Sequence, residues 1–260
     1  MSIALVIIHY GDLAHTRACL TSLAGKIQGE PVMVVNNTPD DLSSLKKIVP
    51  QLTLIENHAN LGFAKAVNRG IREALQDPEV EAVLLVNNDA LLEQGALSEL
   101  KLALRKFPTA GILAPMLNHA GGYDWGGTYS PWWGKVAHRN WPNTPKTYIK
   151  VDHVAAAAML IRRAVLEQVG YFDERFFLYY EDVDYCLRVR RAGYTIQLVP
   201  DVVFGHLGSA SSGRPKRTLV EWQSHGKFVL KYLPRSVYPT GILVDLVLYP
   251  LYLLKSVLPV

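Results

Sequence analysis

A carboxylate placed directly after a short buried strand can hold a cation, and Asp89 stands at such a position. Residues 82–86 are a run of five apolar residues, too short for a buried helix, and they end in Asn87, Asn88 and Asp89. In an open α/β sheet, polar groups at the carboxyl end of a central strand look into the crevice where ligands sit. A divalent cation there, held by Asp89, would in turn hold a diphosphate. The same Asp could instead cap a helix starting near Glu93, or turn the chain. A second group of acids, Glu181, Asp182 and Asp184, crowds the start of a helical pattern that runs to Ala192. Like charges that close raise one another's pKa, which favours proton acceptance by at least one of them. Acids in a first turn also suit the helix dipole, and Asp184 has the i,i+4 spacing of an ordinary ion pair with Arg188.

The elements that must position these groups follow a β-α-β-α rhythm. Apolar runs at 3–8, 32–35, 52–55, 82–86 and 112–114 alternate with helical patterns at 13–23, 42–49, 64–75 and 91–107. This predicts a mostly parallel sheet with helices on both faces. His9 and Tyr10 follow the first strand, Asn36 and Asn37 the second, residues 57–60 the third, and Asn87, Asn88 and Asp89 the fourth. Four such ends imply one polar crevice along the carboxyl edge of the sheet.

Length and composition narrow the field. With 260 residues, 49% of them hydrophobic, the chain can bury one sizeable core and is no disordered segment. Cys19 and Cys186 lie far apart in helical patterns and read as packed thiols in a reducing compartment. The run 3–8 lacks a basic leader and reads as a strand, not a signal peptide. From Arg214 onward seven Lys/Arg face two acids, a tail charge of +5 on a body of −1. A basic tail calls for an anionic partner surface, a membrane in preference to nucleic acid. No G-x-G-x-x-G follows the first strand and no G-x-x-x-x-G-K-[ST] occurs, so a dinucleotide cofactor and a P-loop are both disfavoured. The residues 9–12 are not the Gly-rich phosphate loop of a nucleotidyltransferase either.

Five segments, in order, resemble the motifs of family 2 glycosyltransferases of the GT-A fold. Residues 36–41 look like D-N-x-S-x-D and residues 60–70 like N-x-G-x-x-x-A-x-N-x-G. Asn87, Asn88 and Asp89 resemble D-x-D, and the likeness continues through 170–177 and 181–188. It covers residues 3–212 and is strongest to the rhamnosyltransferase-like branch. The resemblance implies a nucleotide-sugar site lined by His9, Tyr10, Asn36, Asn37, Asn60, Asn87 and Asn88. Lys65 either meets a phosphate or sits on a solvated helix face. It also implies Asp89 as a ligand of Mn²⁺ or Mg²⁺, with His206 reaching the metal or the diphosphate, and a nitrogen ligand suits Mn²⁺ better. A hydrogen-bonded histidine at a strand end is the other reading of His206. Asp182, beside Glu181, takes the role of general base. Two departures stand out: Asn36 and Asn87 occupy positions where the family commonly has Asp. An Asn36 carbonyl can accept the N3–H of uracil or thymine, but its amide could donate instead. Asn60 reads as a cap of the following helix, Gly62 as a point of close backbone approach and Phe63 as packing.

Outside these motifs, Trp125, Trp132, Trp133 and Trp141 lie in a Gly- and Pro-punctuated insertion, hence a loop or short hairpin. Their flat faces could bind an acceptor sugar, form an oligomer contact, or make a satellite cluster. After Ser212, residues 219–233 read as an amphipathic helix. Residues 237–260 are apolar but interrupted, and their longest uncharged stretch, 246–254, is too short to cross a bilayer. Residues 214–260 therefore read as a basic, apolar helical extension of a catalytic domain at 1–213, lying on the inner face of the cytoplasmic membrane. A dimer interface or packing on the domain are alternatives. The expected activity is inverting, metal-dependent transfer of a sugar from a nucleoside diphosphate to a glycan or lipid-linked oligosaccharide of the bacterial surface. The branch resemblance points to dTDP-rhamnose. A UDP-hexose donor and a non-catalytic glycan- or sugar-nucleotide-binding module are the alternatives.

Overall fold

In the computed structural model, which describes residues 2–119, 122–130, 135–141, 143, 145–206, 214–233 and 251, each of the expected apolar runs becomes a strand. In chain order the elements are β1 (Ser2–His9), α1 (Leu13–Leu23), β2 (Val32–Asn36), a 3-10 turn (Ser43–Lys47), β3 (Thr53–Glu56), α2 (Phe63–Ala74), β4 (Val80–Asn87) and β5 (Ala90–Leu92). There follow α3 (Ala96–Lys106), β6 (Ala110–His119), β7 (Gly122–Ser130), β8 (Lys135–Trp141), β9 (Ile149–Lys150) and β10 (Ala158–Arg162). The last are α4 (Arg163–Val169), α5 (Glu181–Arg191), β11 (Thr195–His206) and α6 (Arg214–Tyr232).

The sheet runs β3-β2-β1-β4-β10-β6-β11-β5, with the hairpin β7–β8 growing from β6 and β9 from β11. The four leading strands are parallel neighbours, so their carboxyl ends line one edge. β10 then runs antiparallel to both β4 and β6. Residues alternate between faces along β1: Ile3, Leu5 and Ile7 pack with α1 and α3, while Ala4, Val6 and Ile8 pack with α2, α4 and α5. At Gly70 helix and sheet meet closely, since a Cβ there would lie 2.3 Å from Val6 Cγ1. Arg162 and Arg163 tie down the ends of two helices. Arg162 donates to the carbonyls of Leu104, Phe107 and Ala110, and Arg163 to those of Leu75, Asp77 and Val80. Both cysteines are free and buried.

One expectation needs correction. The helical pattern 91–107 is not one helix: residues 90–92 pair antiparallel with β11, and Gly95, at φ +82°, breaks the chain before α3. Hydrogen bonding to a sheet edge outweighs the helical spacing of Leu91 and Leu92. The amphipathic helix near 219–233 is present as α6, but its apolar face is laid on the body. Phe228 and Tyr232 share a cluster with Phe176, Val183 and Leu187. Among the described residues no helix is long and apolar enough to cross a membrane. Residues 234–250 and 252–260, most of the apolar extension, lie outside the described residues.

Candidate active site

The polar edge exists, and its side chains hold one another. Asn88 donates to the Tyr10 carbonyl at 3.1 Å and to Thr16 Oγ1 at 3.0 Å. Thr16 Oγ1 also lies 2.6 Å from His9 Nδ1. Thr16 on α1 thus joins the ends of β1 and β4. Burial holds the His9 imidazole below its ordinary pKa, against the opposing pull of Asp40, Glu56 and Asp12. His9 is buried, while Tyr10, the next residue, is exposed.

The ends of β2 and β3 are as tightly tied. Asn36 is fully buried; its carbonyl accepts from Thr38 N at 3.1 Å and Thr38 Oγ1 at 2.8 Å. Its amide donates to the Asp40 carbonyl at 2.6 Å and to Glu56 Oε2 at 2.7 Å. Both lone pairs and both protons of the side chain are in use, so Asn36 shapes the 36–40 turn and has no acceptor to spare for a base. Asn37 is similar: its carbonyl accepts from Asn57 Nδ2 and Leu61 N, both at 3.0 Å, and its amide donates to Asn60 Oδ1 at 2.9 Å. Asn60 is not the cap of α2. It accepts from Gly62 N at 2.9 Å within a local turn, and Gly62 itself is the N-cap residue. Gly62 has φ +86° and a Cβ there would meet the Phe177 carbonyl oxygen at 2.6 Å, which is the close approach expected of it. Phe63 N donates to that carbonyl at 2.7 Å. Lys65 is exposed on the first turn of α2, near Glu174.

Asp89 follows β4 and is only 5% exposed. Its charge raises the pKa of the buried Cys19 thiol, second to burial itself, to about 12. The antiparallel register sets Ala90 opposite His206, which brings the backbones of the two expected metal positions together. Among the described residues no three His, Cys, Asp or Glu side chains converge as a cation site.

Asp182 lies in the first turn of α5, half-buried, facing the N–H groups of Val183 and Ala156. Asn87 N donates to the Ala157 carbonyl at 2.8 Å. The neighbouring residues Ala156 and Ala157 therefore link the acid of α5 to the end of β4. The Asp182 carboxyl is raised above its ordinary pKa by burial, opposed by these N–H groups and by His138. Glu181 is raised further, by burial first and by the Asp182 charge second. Crowding of acids is thus the lesser cause; loss of water is the greater. Asp184 belongs to another environment: fully buried, it binds Arg188 Nε at 3.0 Å, as its spacing implied, and also Lys231 Nζ at 2.5 Å and Tyr232 Oη at 2.6 Å. Those last two partners, with Thr16, Glu56 and Ala156, carry no sequence signal, because only the fold brings them near.

The aromatic insertion is a hairpin. Trp125 on β7 and Trp141 on β8 sit with ring centres 5.8 Å apart, and Trp125 Nε1 donates to the Asn143 carbonyl at 2.8 Å. Trp125 also packs on the core below, while Trp141 is exposed. Trp132 and Trp133 lie outside the described residues.

This architecture has known counterparts. The sequence profile described as "Glycosyltransferase like family 2" matches residues 2–224. The N-acetylglucosaminyl-diphospho-decaprenol L-rhamnosyltransferase of Mycobacterium tuberculosis is 29% identical over 238 residues, 80% of this chain and 77% of that protein. The dTDP-rhamnosyl transferase RfbF of Shigella flexneri is 24% identical over 208 residues, 78% of this chain and 68% of that protein. A crystal structure of GalNAc-T7 with UDP, GalNAc and Mn²⁺ superposes with a TM-score of 0.66 at 14% identity, over 79% of this chain and 43% of that one. The likeness to that structure is one of fold.

Proposed function

The chain belongs to glycosyltransferase family 2 and has the GT-A fold, and from that premise we propose that it is an inverting, metal-dependent enzyme that moves L-rhamnose from dTDP-rhamnose to a lipid-linked glycan acceptor. The observation that supports this is the link through Ala156 and Ala157 between the half-buried Asp182 carboxylate and the end of β4, which Asp89 follows. The rhamnosyl donor and the diphospholipid acceptor are drawn from the relatives' named activities.

Asp182 takes the proton of the acceptor hydroxyl. The hydroxyl oxygen then forms its bond to the anomeric carbon as the bond to the phosphate oxygen breaks, and the electron pair leaves with the nucleoside diphosphate. A carboxylate with a raised pKa and little water around it suits this work. Negative charge on the departing diphosphate must be neutralised. Asp89, a buried hard carboxylate, would hold Mn²⁺, with His206 as the second ligand that the family resemblance implies; a cation bound there would supply Lewis-acid stabilisation of the phosphate oxygens. Because Asn36 and Asn37 are saturated, they act on the nucleotide by shaping the edge, while Tyr10 is the exposed candidate for contact. Acceptor binding by Trp125, Trp132 and Trp133 is part of the same reading, tested by acceptor KM in alanine variants. Contact with the inner membrane surface falls to the segment after Leu233, since the described face of α6 is packed inward. Co-sedimentation with anionic vesicles tests it.

The direct test is thermal unfolding with dTDP, UDP and GDP, each with and without Mn²⁺. Stabilisation by dTDP that requires Mn²⁺ and is lost in Asp89→Asn is expected. Equal stabilisation without metal, or retention in Asp89→Asn, refutes the metal site. Preference for UDP transfers the reading to a uridine donor.

A further inference from the structure

The acid of α5 is presented by an unusual turn. Tyr179 and Tyr180 adopt left-handed backbone angles, φ +68° and +67°. Two consecutive bulky residues in that region are strained, and such strain persists only where surroundings hold it. Helix α5 begins directly afterwards with no side-chain cap. What surrounds the turn is α6. Ser224 Oγ donates to the Leu178 carbonyl at 2.7 Å, and Lys227 Nζ to the Arg175 carbonyl at 2.6 Å. The Phe228 ring lies 5.2 Å from Tyr180 and 4.8 Å from Tyr232. Tyr232 Oη then donates to Asp184, and Lys231 joins Asp184 to Asp173. Four of these residues, Lys227, Phe228, Lys231 and Tyr232, fall beyond residue 224, where the family profile ends.

We propose that the second half of α6 is a positioning element of the active site. Phe228 braces the Tyr179–Tyr180 turn, and the Tyr232–Asp184 hydrogen bond fixes the first α5 turn so that Asp182 stays against Ala156. The proposal rests on the reading of Asp182 as the base. Helical geometry supports the coupling: Asp184 and Asp182 share one turn, on opposite sides, so α6 grips the back of the turn whose front bears the base. Tyr232 touches no reacting atom; it acts through Asp184.

The test is Tyr232→Phe in the full chain, which removes one hydroxyl and keeps the ring on Phe228. Hydrogen exchange at the amides of Val183 and Asp184 should rise about tenfold or more, the size of one lost hydrogen bond to a charged group, while β1 and β4 stay protected. With dTDP-rhamnose and N-acetylglucosaminyl-diphospho-decaprenol, kcat should fall about tenfold with donor KM within about twofold, because geometry and not donor affinity is lost. Asp184→Asn should do the same, and the double variant should be little worse than either alone. Leu230→Ala, on the outward face of α6, should change neither readout. Unchanged exchange at Val183 and Asp184 overturns the proposal, and so does faster exchange with unchanged kcat. Asp182→Asn, run in parallel, separates the two failures. If it keeps its turnover, the base reading has failed and the proposal falls with it; if it is inactive while Tyr232→Phe turns over normally, only the positioning role has failed.

Discussion

Asn68 is the side chain whose loss should be felt most widely, and the size of the effect can be worked from its contacts. It is buried in α2 and grips Phe172 from both sides: its amide donates to the Phe172 carbonyl at 2.9 Å and its carbonyl accepts from Phe172 N at 2.9 Å. A third bond, 3.0 Å to Glu174 Oε1, reaches a half-exposed carboxylate that also has Arg72. Asn68→Ala leaves the two buried backbone groups of Phe172 without partners, at about 1–3 kcal/mol each. Glu174 can turn to water, so its share is small. The expected loss is therefore about 4 kcal/mol, which for a domain of this size lowers Tm by about 8–16 °C. Calorimetry or circular dichroism measures it, with Glu174→Gln as the control, expected to lose less than about 1 kcal/mol. A loss under about 1 kcal/mol in Asn68→Ala would mean that water replaces the amide and that the Phe172 segment is not held from α2.

Three further outcomes follow from the acids of α5. Asp182→Asn should lower kcat by about 10²–10⁴-fold while leaving Mn²⁺-dependent dTDP binding within about twofold; near-normal turnover would move the base elsewhere. In the wild type the raised Asp182 pKa means that the active, deprotonated form is lost on acidification sooner than for an ordinary carboxylate. The acid limb of kcat should therefore lie above about pH 4, the ordinary Asp value, and a limb at or below it is contrary to the burial argument. Glu181, raised by burial, binds its proton more tightly folded than unfolded. Its contribution is present below the unfolded value of 4.5 and is lost as pH rises through the folded value, so the stability of Glu181→Gln relative to wild type should grow above pH 4.5. Denaturant titrations at several pH values check this, and a constant difference counts against a buried, charge-disfavouring site.

The sheet was readable because strands buried on both faces are nearly pure apolar runs, and β1 and β4 are such runs. Likewise the ends of β2 to β4 carried their amides openly in the sequence. What periodicity misread was local competition: Leu91 and Leu92 sit at helical spacing, yet a sheet edge claims them. The site was legible as residue types but not as partnerships. Asn36 and Asn60 look like free donors and acceptors on paper, whereas the fold spends each on a neighbour distant in the chain. Asp184 shows the same limit, since Arg188 is visible four residues on while Lys231 and Tyr232 are nearly fifty residues away.

Asn36 also explains itself through a partner that the sequence could not name. The family commonly carries Asp at this position, and the amide here donates to Glu56 Oε2 at 2.7 Å. An acid at 36 would set two carboxylates at that distance in a buried corner, where both cannot ionise at little cost. Asn36→Asp should then destabilise the protein by about 1–3 kcal/mol, through the lost amide donor and the new like-charge contact. Glu56→Gln in that background restores an amide-to-carboxylate bond in the reverse sense and should recover much of the loss. If the double variant is no more stable than Asn36→Asp alone, the two side chains are not coupled and the asparagine at 36 needs another cause.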